Sequence, residues 1–213
     1  MIGRPQVGVL AVQGAFVEHE EALRAVGADA CQIRIAGELD ALDGLVIPGG
    51  ESTTFGLVAA RSGLLERLRD VIGAGLPVFG TCAGMIMLAR ETTAGGQALI
   101  GGMDMVVRRN AFGRQVASFE ADLDMSVVGG APVPAVFIRA PWIEAHGPRV
   151  EVLASCGGHP VAARQGDMLV TAFHPEFTDD RRVHALFVDM VRASVARNAA
   201  DDAVGGAVRV WAQ

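Results

Sequence analysis

A short turn between an apolar run and a helical stretch constrains the fold of this chain more than any other feature. Residues 80–84 are Gly-Thr-Cys-Ala-Gly; they follow the apolar run 77–79 and open the apolar helical stretch 85–88. Glycines two positions before and two after Cys82 permit a strained turn and close backbone packing. A strand, a sharp turn with a nucleophile at its tip and then a helix form a nucleophile elbow. We therefore expect an α/β fold in which Cys82 is a nucleophile rather than a buried structural thiol.

A second group of polar residues follows a later apolar run. Residues 168–173 are strand-like and are followed directly by His174, Pro175 and Glu176. Strand ends are where α/β enzymes place site residues. Glu176 could accept a hydrogen bond from His174 Nδ1, fix the tautomer of the ring and stabilise its charged form. We therefore expect Cys82, His174 and Glu176 to form a Cys-His-Glu catalytic triad.

Strands and helices alternate in the first half of the chain. The predicted strands are residues 7–12, 30–35, 44–47 and 77–79, and the predicted helices are residues 15–26, 53–60, 64–72 and 83–90. Such alternation with short connections predicts an α/β fold with a mostly parallel central sheet and helices on both faces. Further strands are predicted at 117–123, 135–138 and 150–154, and a final amphipathic helix at 183–195. We expect a single domain over residues 1–197 and a flexible C-terminal tail over 198–213.

Composition excludes several chemistries. The chain has 213 residues, of which 51% are apolar, as expected for one globular domain. Its formal net charge of −6 argues against a general nucleic-acid-binding surface. All 18 basic residues are arginine. Without lysine, Schiff-base chemistry and the P-loop type of phosphate site are excluded.

The cysteines and the apolar runs bear on metals and on location. The three cysteines Cys31, Cys82 and Cys156 cannot form a full disulfide set. Cys156 and His159 supply too few ligands to close a zinc site, so we expect neither a metal nor a cofactor. The run 7–12 is too short for a signal peptide, and no apolar stretch approaches ~20 residues. We therefore expect a cytoplasmic protein that acts without a membrane or a nucleic acid.

Two further segments each allow two interpretations. Residues 48–54 (Pro-Gly-Gly-Glu-Ser-Thr-Thr) are either a tight strand-to-helix turn with Ser52 as the N-cap, or one wall of an oxyanion hole. In the second case the backbone N–H groups of Gly50 and Ala83 would bind the oxyanion. Residues 108–115 carry three arginines, which form either a solvated face or a bidentate clamp for a carboxylate.

Taken together, these motifs resemble a known family. The turn 80–84 with His174-Pro175-Glu176 is similar to the class I (triad) glutamine amidotransferases. The further segments that narrow the match are 8–14 (Gly-Val-Leu-Ala-Val-Gln-Gly), 48–53, 108–115 (Arg-Arg-Asn-Ala-Phe-Gly-Arg-Gln) and 137–141 (Phe-Ile-Arg-Ala-Pro). With them the chain resembles the glutaminase subunits of pyridoxal 5′-phosphate synthases.

The resemblance implies a fold and a reaction. The fold would be class I glutamine amidotransferase-like, which is flavodoxin-like with a nucleophile elbow. Cys82 would attack the side-chain amide of L-glutamine, with His174 as base and then as acid, and water would release glutamate from a thioester. The residues implied in binding glutamine are Gly50, Glu51, Ser52, Arg109, Ile138 and Arg139.

The resemblance also implies a partner. Ammonia would pass to a separate (β/α)₈-barrel synthase that makes pyridoxal 5′-phosphate, the active form of vitamin B6. Docking of that synthase would reorganise the loop that carries Gln13 and Gly14 and would complete the oxyanion hole. Since the chain has no lysine for imine chemistry, the synthase must be another polypeptide.

Two alternatives remain open at this point. The chain could be the glutaminase of another amidotransferase, with the same triad and different partner contacts. It could instead be a non-enzymatic stress-response module on a similar fold, with an oxidisable cysteine at the elbow. Such a module would need neither the His174 and Glu176 pair nor an oxyanion turn.

Overall fold

A computed structural model of the chain describes residues 3–113 and 118–209, with the backbone only from residue 202 onwards. The strands are β1 (Gln6–Leu10), β2 (Asp29–Ile33), β3 (Gly44–Ile47), β4 (Val78–Thr81), β5 (Ala89–Thr92), β6 (Met103–Arg108), β7 (Ser118–Leu123), β8 (Val133–Ile138), β9 (Trp142–His146), β10 (Glu151–Cys156), β11 (His159–Gln165) and β12 (Met168–Thr171). The helices are α1 (Phe16–Ala25), α2 (Ser52–Arg61), α3 (Leu64–Gly73), α4 (Ala83–Leu88) and α5 (Arg182–Arg209). Short 3-10 turns lie at Ala36–Leu39, Ser126–Val128 and Pro175–Phe177.

Seven strands form the central sheet, in the order β10-β11-β12-β4-β3-β1-β2. The pairs β12–β4, β4–β3, β3–β1 and β1–β2 are parallel, whereas β10 and β11 add an antiparallel edge. The parallel part has the flavodoxin-like order, with the chain changing direction across the sheet between β1 and β3. This confirms the predicted mostly parallel α/β sheet. The smaller sheets are β5-β6-β9 and β7-β8.

Helices cover both faces of the central sheet, as predicted. Phe79 of β4 packs against Phe187 of α5, with ring centroids 5.7 Å apart. The next residue, Gly80, faces the opposite side of the sheet, because side chains alternate along a strand. A Cβ atom on Gly80 would meet Leu88 of α4 at 2.9 Å. The face that carries α5 is therefore opposite to the face that carries α4.

Two helix ends differ from the prediction. The helix after the elbow ends at Leu88 and not at residue 90, because Ala89 starts β5, which pairs with β6. The final helix begins at Arg182, one residue before the predicted start, and continues past the predicted end at residue 195 to Arg209. Residues 210–213 lie outside the described part of the chain, so the domain boundary at 197 and the flexibility of 198–213 stay predictions.

The cap of α2 also differs from the prediction. The N-cap is Glu51 and not Ser52: its carboxylate accepts hydrogen bonds from the N–H groups of Thr53 (3.0 Å) and Thr54 (2.7 Å). The side chain of Ser52 is buried instead. Among the described residues, no helix has both the length and the apolar character needed to cross a membrane.

Candidate active site

Cys82 sits at the tip of the strained turn that the sequence predicts. Its φ of 48° and ψ of −97° lie outside the conformations that a residue with a Cβ ordinarily adopts. Its N–H donates to the carbonyl of Thr171 in β12 (2.8 Å), which ties the turn to the neighbouring strand. Gly84 is required, since a Cβ there would lie 2.0 Å from the carbonyl oxygen of Ile47. The glycines around Cys82 therefore permit α4 to lie against the sheet.

His174 and Glu176 form the hydrogen bond that the sequence predicts for them. His174 Nδ1 lies 2.7 Å from Glu176 Oε1, and both residues are buried. The His174 N–H donates to the carbonyl of Val136 in β8 (2.9 Å), which fixes the segment that follows β12. With its Nδ1 hydrogen donated to the carboxylate, the ring presents Nε2 for other contacts.

The electrostatics of this pair favour a charged imidazole beside an anionic carboxylate. Burial alone would lower the pKa of His174, but hydrogen bonds to Cys82 and Glu176 and their negative charges raise it to about 10. Burial alone would raise the pKa of Glu176. The positive charge of His19 and hydrogen bonds from His174 and His19 outweigh that effect and hold the pKa of Glu176 below its ordinary value. At neutral pH the arrangement therefore favours an imidazolium at His174.

A cavity of about 260 Å³ opens at the carboxyl edge of the parallel strands. This volume lies below the roughly 300–1,000 Å³ of sites for drug-sized ligands and suits a molecule the size of an amino acid. The predicted site residues that line it are Gly14, Gly50, Glu51, Ser52, Cys82, Arg109, Ile138, Arg139 and His174. Glu176 contacts His174 from behind, and Ala83 is the first residue of α4, directly after Cys82. The fold thus brings the predicted residues to one place.

Polar contacts hold Arg109 on one wall of the cavity. Its guanidinium donates to Thr53 Oγ1 (3.0 Å) and to Gln97 Oε1 (2.9 Å), and it lies 3.2 Å from Glu51 Oε1. The pKa of Glu51 is lowered to about 2, first by the hydroxyl of Thr54 and then by N–H groups at the start of α2. Glu51 therefore stays anionic and holds the guanidinium beside the cavity.

The arginine-rich segment is divided between the two interpretations that the sequence left open. Arg108 makes an ion pair with Glu144 on the surface, with its Nε 2.8 Å from Oε2, and so belongs to a solvated face. Arg109 lines the cavity, as a clamp requires. Arg114 and Gln115, from the same motif, lie outside the described residues.

The segment after β8 forms another wall. The thiol of Cys82 lies 3.8 Å from the carbonyl oxygen of Ile138. Arg139 has a φ of 45°, which is uncommon for a residue with a side chain. The carbonyl of Ala140 accepts a hydrogen bond from the N–H of Ala111 (2.9 Å), which joins this segment to the arginine-rich one.

The loop that carries Gln13 packs against the glycine turn. Gln13 Oε1 accepts from the Glu51 N–H (3.2 Å), and Gln13 Nε2 donates to the Glu51 carbonyl (3.1 Å). A Cβ on Gly14 would lie 1.9 Å from the carbonyl oxygen of Gly49, so only glycine permits this approach. The Gly49 N–H donates to Thr81 Oγ1 (3.0 Å). Loop and turn therefore contact each other and hold each other in place.

Sequence reasoning missed two buried histidines and a glutamine. No sequence motif assigns a role to His19 or His184, yet His19 Nε2 lies 3.3 Å from Glu176 Oε1 and its Nδ1 lies 3.0 Å from His184 Nε2. Helical spacing could have placed His19 on the buried face of α1, since it precedes Leu23 by four residues. No local pattern marks Gln97, which contacts Arg109 from a turn.

Comparisons with known proteins agree with this geometry. The model of the SNO glutamine amidotransferase family matches residues 9–193. A relative from Parafrankia sp. (strain EAN1pec), called pyridoxal 5′-phosphate synthase subunit PdxT, is 60% identical over 193 residues, which is 90% of this chain and 95% of the relative. A relative of the same name from Streptomyces avermitilis is 59% identical over 192 residues, covering 89% of this chain and 96% of the relative.

Solved structures are similar as well. A crystal structure described as a glutamine amidotransferase has a TM-score of 0.82 and 46% identity, covering 87% of this chain and 98% of that one. A glutamine amidotransferase from Thermotoga maritima has a TM-score of 0.58 at 12% identity, covering 92% and 98%, and so supports the fold alone. From the extent of the family match and the identity to these relatives, the chain belongs to the SNO glutamine amidotransferase family.

Proposed function

We propose that this chain is the glutaminase subunit of a pyridoxal 5′-phosphate synthase and hydrolyses L-glutamine to L-glutamate and ammonia. The observation that carries the proposal is a shared cavity of the size of an amino acid. Cys82, at a strained turn, and the buried His174 both line this cavity, and Glu176 is hydrogen-bonded to His174. The relatives named as subunits of that synthase are similar over nearly their whole length.

The triad supplies the chemistry. The thiolate of Cys82 attacks the side-chain carbonyl carbon of glutamine, and a tetrahedral intermediate forms. The imidazolium of His174 donates its Nε2 proton to the leaving amine, so that ammonia departs and a thioester remains. His174 then accepts a proton from water, which attacks the thioester and releases glutamate. Glu176 orients the ring and stabilises its positive charge throughout.

Backbone N–H groups stabilise the developing oxyanion. The Ala83 N–H is at the start of α4, where helical N–H groups have no partner within the helix. Gly50 lines the cavity and supplies the second donor once its peptide faces the site. Gln13 is hydrogen-bonded to the residue after Gly50, so movement of the Gln13 and Gly14 loop changes this turn.

The opposite end of the cavity binds the α-amino and α-carboxylate groups of glutamine. Arg109 faces the carboxylate, since its guanidinium can form two parallel hydrogen bonds. The carboxylate of Glu51 and the backbone of Ile138 and Arg139 provide acceptors for the ammonium group. Ser52, at the start of α2, completes this end. Together these contacts place the side-chain amide of glutamine at Cys82.

The ammonia is consumed by a partner. Free ammonia becomes ammonium in neutral water and loses its nucleophilicity, so a closed path to a second active site is needed. We propose a (β/α)₈-barrel synthase as that partner, docked on the side of the Gln13 loop, in a cytoplasmic complex. Residues 1–197 form the glutaminase domain in this proposal, and 198–213 its tail.

Glutamate release, measured with and without a co-purified barrel synthase, tests the proposal. We expect strong stimulation by the synthase, and loss of release in Cys82→Ala with folding and synthase binding retained. A glutamine-analogue affinity label should add its mass at Cys82 in the wild-type chain. Release that survives within tenfold in Cys82→Ala, or a wild-type chain that is neither active nor labelled with the synthase present, would refute it.

A further inference from the structure

Beyond the triad, the structure shows a buried polar network behind Glu176. His19 of α1 is fully buried, and its Nε2 lies 3.3 Å from Glu176 Oε1 and 3.3 Å from Thr81 Oγ1. On the other side of the ring, Nδ1 lies 3.0 Å from Nε2 of His184, which is also fully buried. His19 does not line the cavity, so it has no contact with a bound amino acid.

Two imidazoles lie beside the Glu176 carboxylate among the described residues, His174 with a hydrogen bond and His19 with a longer ion-pair contact. Oε1 lies between His174 Nδ1 (2.7 Å) and His19 Nε2 (3.3 Å), whereas Oε2 has no partner in the same part of the chain. A buried carboxylate with too few donors is costly, because burial disfavours the charged form. His19 therefore acts together with His174 to keep Glu176 anionic.

The contacts determine which nitrogen of His19 carries hydrogen. A bare Nε2 would direct a lone pair at the Glu176 carboxylate, which is repulsive. An Nε2–H is instead shared between Glu176 Oε1 and Thr81 Oγ1, each 3.3 Å away, so we place the hydrogen on Nε2. Burial, and next the charge of His19, lowers the pKa of His184 to about 3 and keeps it neutral. His184 Nδ1 has no partner within the described residues. With His19 positively charged, its Nδ1–H donates to His184 Nε2 and its Nε2–H points at Glu176. In a neutral His19, Nε2 would still carry the hydrogen and Nδ1 would accept from His184 Nε2–H.

We propose that His19 is a positioning residue of the glutaminase reaction, whose Nε2–H holds the Glu176 carboxylate against His174 Nδ1. The inference rests on the proposed function. The same ring contacts Thr81, whose hydroxyl oxygen accepts the Gly49 N–H (3.0 Å). His19 thus joins the acid of the triad to the glycine turn on the other side of Cys82.

Two polar substitutions of His19 separate positioning from packing. In His19→Gln the side-chain amide nitrogen reaches about as far as Nε2 and can still donate to Glu176. In His19→Asn the amide nitrogen reaches only to the place of Nδ1, so that Glu176 loses this donor. Leu23→Val is the control, because Leu23 is buried on the same helix without a polar partner.

The first readout needs neither glutamine nor a partner. Alkylation of Cys82 by iodoacetamide is followed against pH, with the adduct at this cysteine quantified by peptide mass spectrometry. The charged and titratable groups near His19 are Glu176 and His174 beyond β12, His184 in α5 and Arg181 just before it. Weaker support of the His174 imidazolium raises the pH at which the thiolate forms.

We expect the half-maximal pH of alkylation to rise by about one unit in His19→Asn, and to stay near the wild-type value in His19→Gln and Leu23→Val. In the synthase complex, kcat for glutamate release should fall about ten- to hundredfold in His19→Asn, as for loss of one charge-assisted hydrogen bond, with KM within about twofold. Equal behaviour of the Asn and Gln variants in both readouts would overturn the proposal, as would the same shift in Leu23→Val.

A measurement on the wild-type chain covers the case in which the variants do not fold. Long-range proton–nitrogen NMR spectra of the histidine rings report which nitrogen carries hydrogen. Hydrogen on His19 Nε2 supports the proposal, and a bare Nε2 refutes it. If the wild-type chain with synthase releases no glutamate, the proposed function fails, while the alkylation and NMR results still decide whether His19 positions Glu176.

Discussion

Replacement of Gly49 by alanine isolates the position of the His174 ring. Gly49 lies in the turn after β3, and its φ is outside the left-handed region, so alanine can adopt the same backbone. Its N–H bond to Thr81 Oγ1 does not depend on the side chain. The added methyl group, however, would point at the triad: the Cβ position is 2.3 Å from His174 Cε1 and 3.3 Å from Cys82 Cβ.

The expected loss follows from this distance. Carbon atoms in contact are ordinarily about 3.5–4.0 Å apart, so the ring must move by roughly 1.2–1.7 Å to clear the methyl group. A misplacement of about 1 Å can cost 10²-fold in rate. We therefore expect kcat for glutamate release in the synthase complex to fall by about 10²-fold or more. KM should change little, because the clash is with His174 and Cys82 and not with Arg109 or Glu51, which bind the other end of glutamine in our proposal.

The assay compares Gly49→Ala with Gly73→Ala by steady-state glutamate release and thermal unfolding. Gly73 ends α3, and a Cβ there would meet nothing within 4 Å. Its alanine variant should keep wild-type kcat and be as stable as wild type or slightly more so, since alanine suits a helix better than glycine. A folded Gly49→Ala chain with kcat within threefold of wild type would refute the reasoning. A rise in KM alone would also contradict it.

Three further outcomes are expected. Glu176→Gln should reduce kcat less than His174→Ala, since the acid only orients the His174 ring and stabilises its charged form. It should also lower the pKa of His174 from about 10, which NMR titration would measure. Equal losses of kcat in the two variants would contradict this role. Arg109→Lys should mainly raise KM for glutamine, and Gln97→Leu should do so more weakly by freeing the guanidinium; a pure kcat loss would contradict a clamp. The pKa of Glu51 is lowered to about 2 by the Thr54 hydroxyl and by N–H groups of α2, so the ionised carboxylate stabilises the fold above its ordinary pKa, and this stabilisation is lost as the pH falls towards 2. The free energy of unfolding in urea should therefore differ most between wild type and Glu51→Gln above roughly pH 5. A difference that does not change with pH would exclude this linkage.

Much of the site could be predicted because its determinants are local in sequence. The elbow needs glycines at fixed offsets from Cys82, and these offsets are visible without a structure. Parallel strands end at one edge of a sheet, so residues that follow β3, β4 and β12 must meet there. The sequence could not choose between Arg108 and Arg109, which differ in whether the side chain meets Glu144 on the surface or Glu51 at the cavity.

The sequence by itself determined the α/β order of elements, the turn with Cys82 and the candidate partners His174 and Glu176. Only the tertiary structure decided what surrounds them. His19 and His184 are separated by 165 positions, and their contact exists because α1 and α5 cover the same face of the sheet. Likewise α4 ends early because β5 finds a partner strand in β6. Local propensity acts over a few residues, whereas a buried polar group takes its partner from whichever element the fold packs against it.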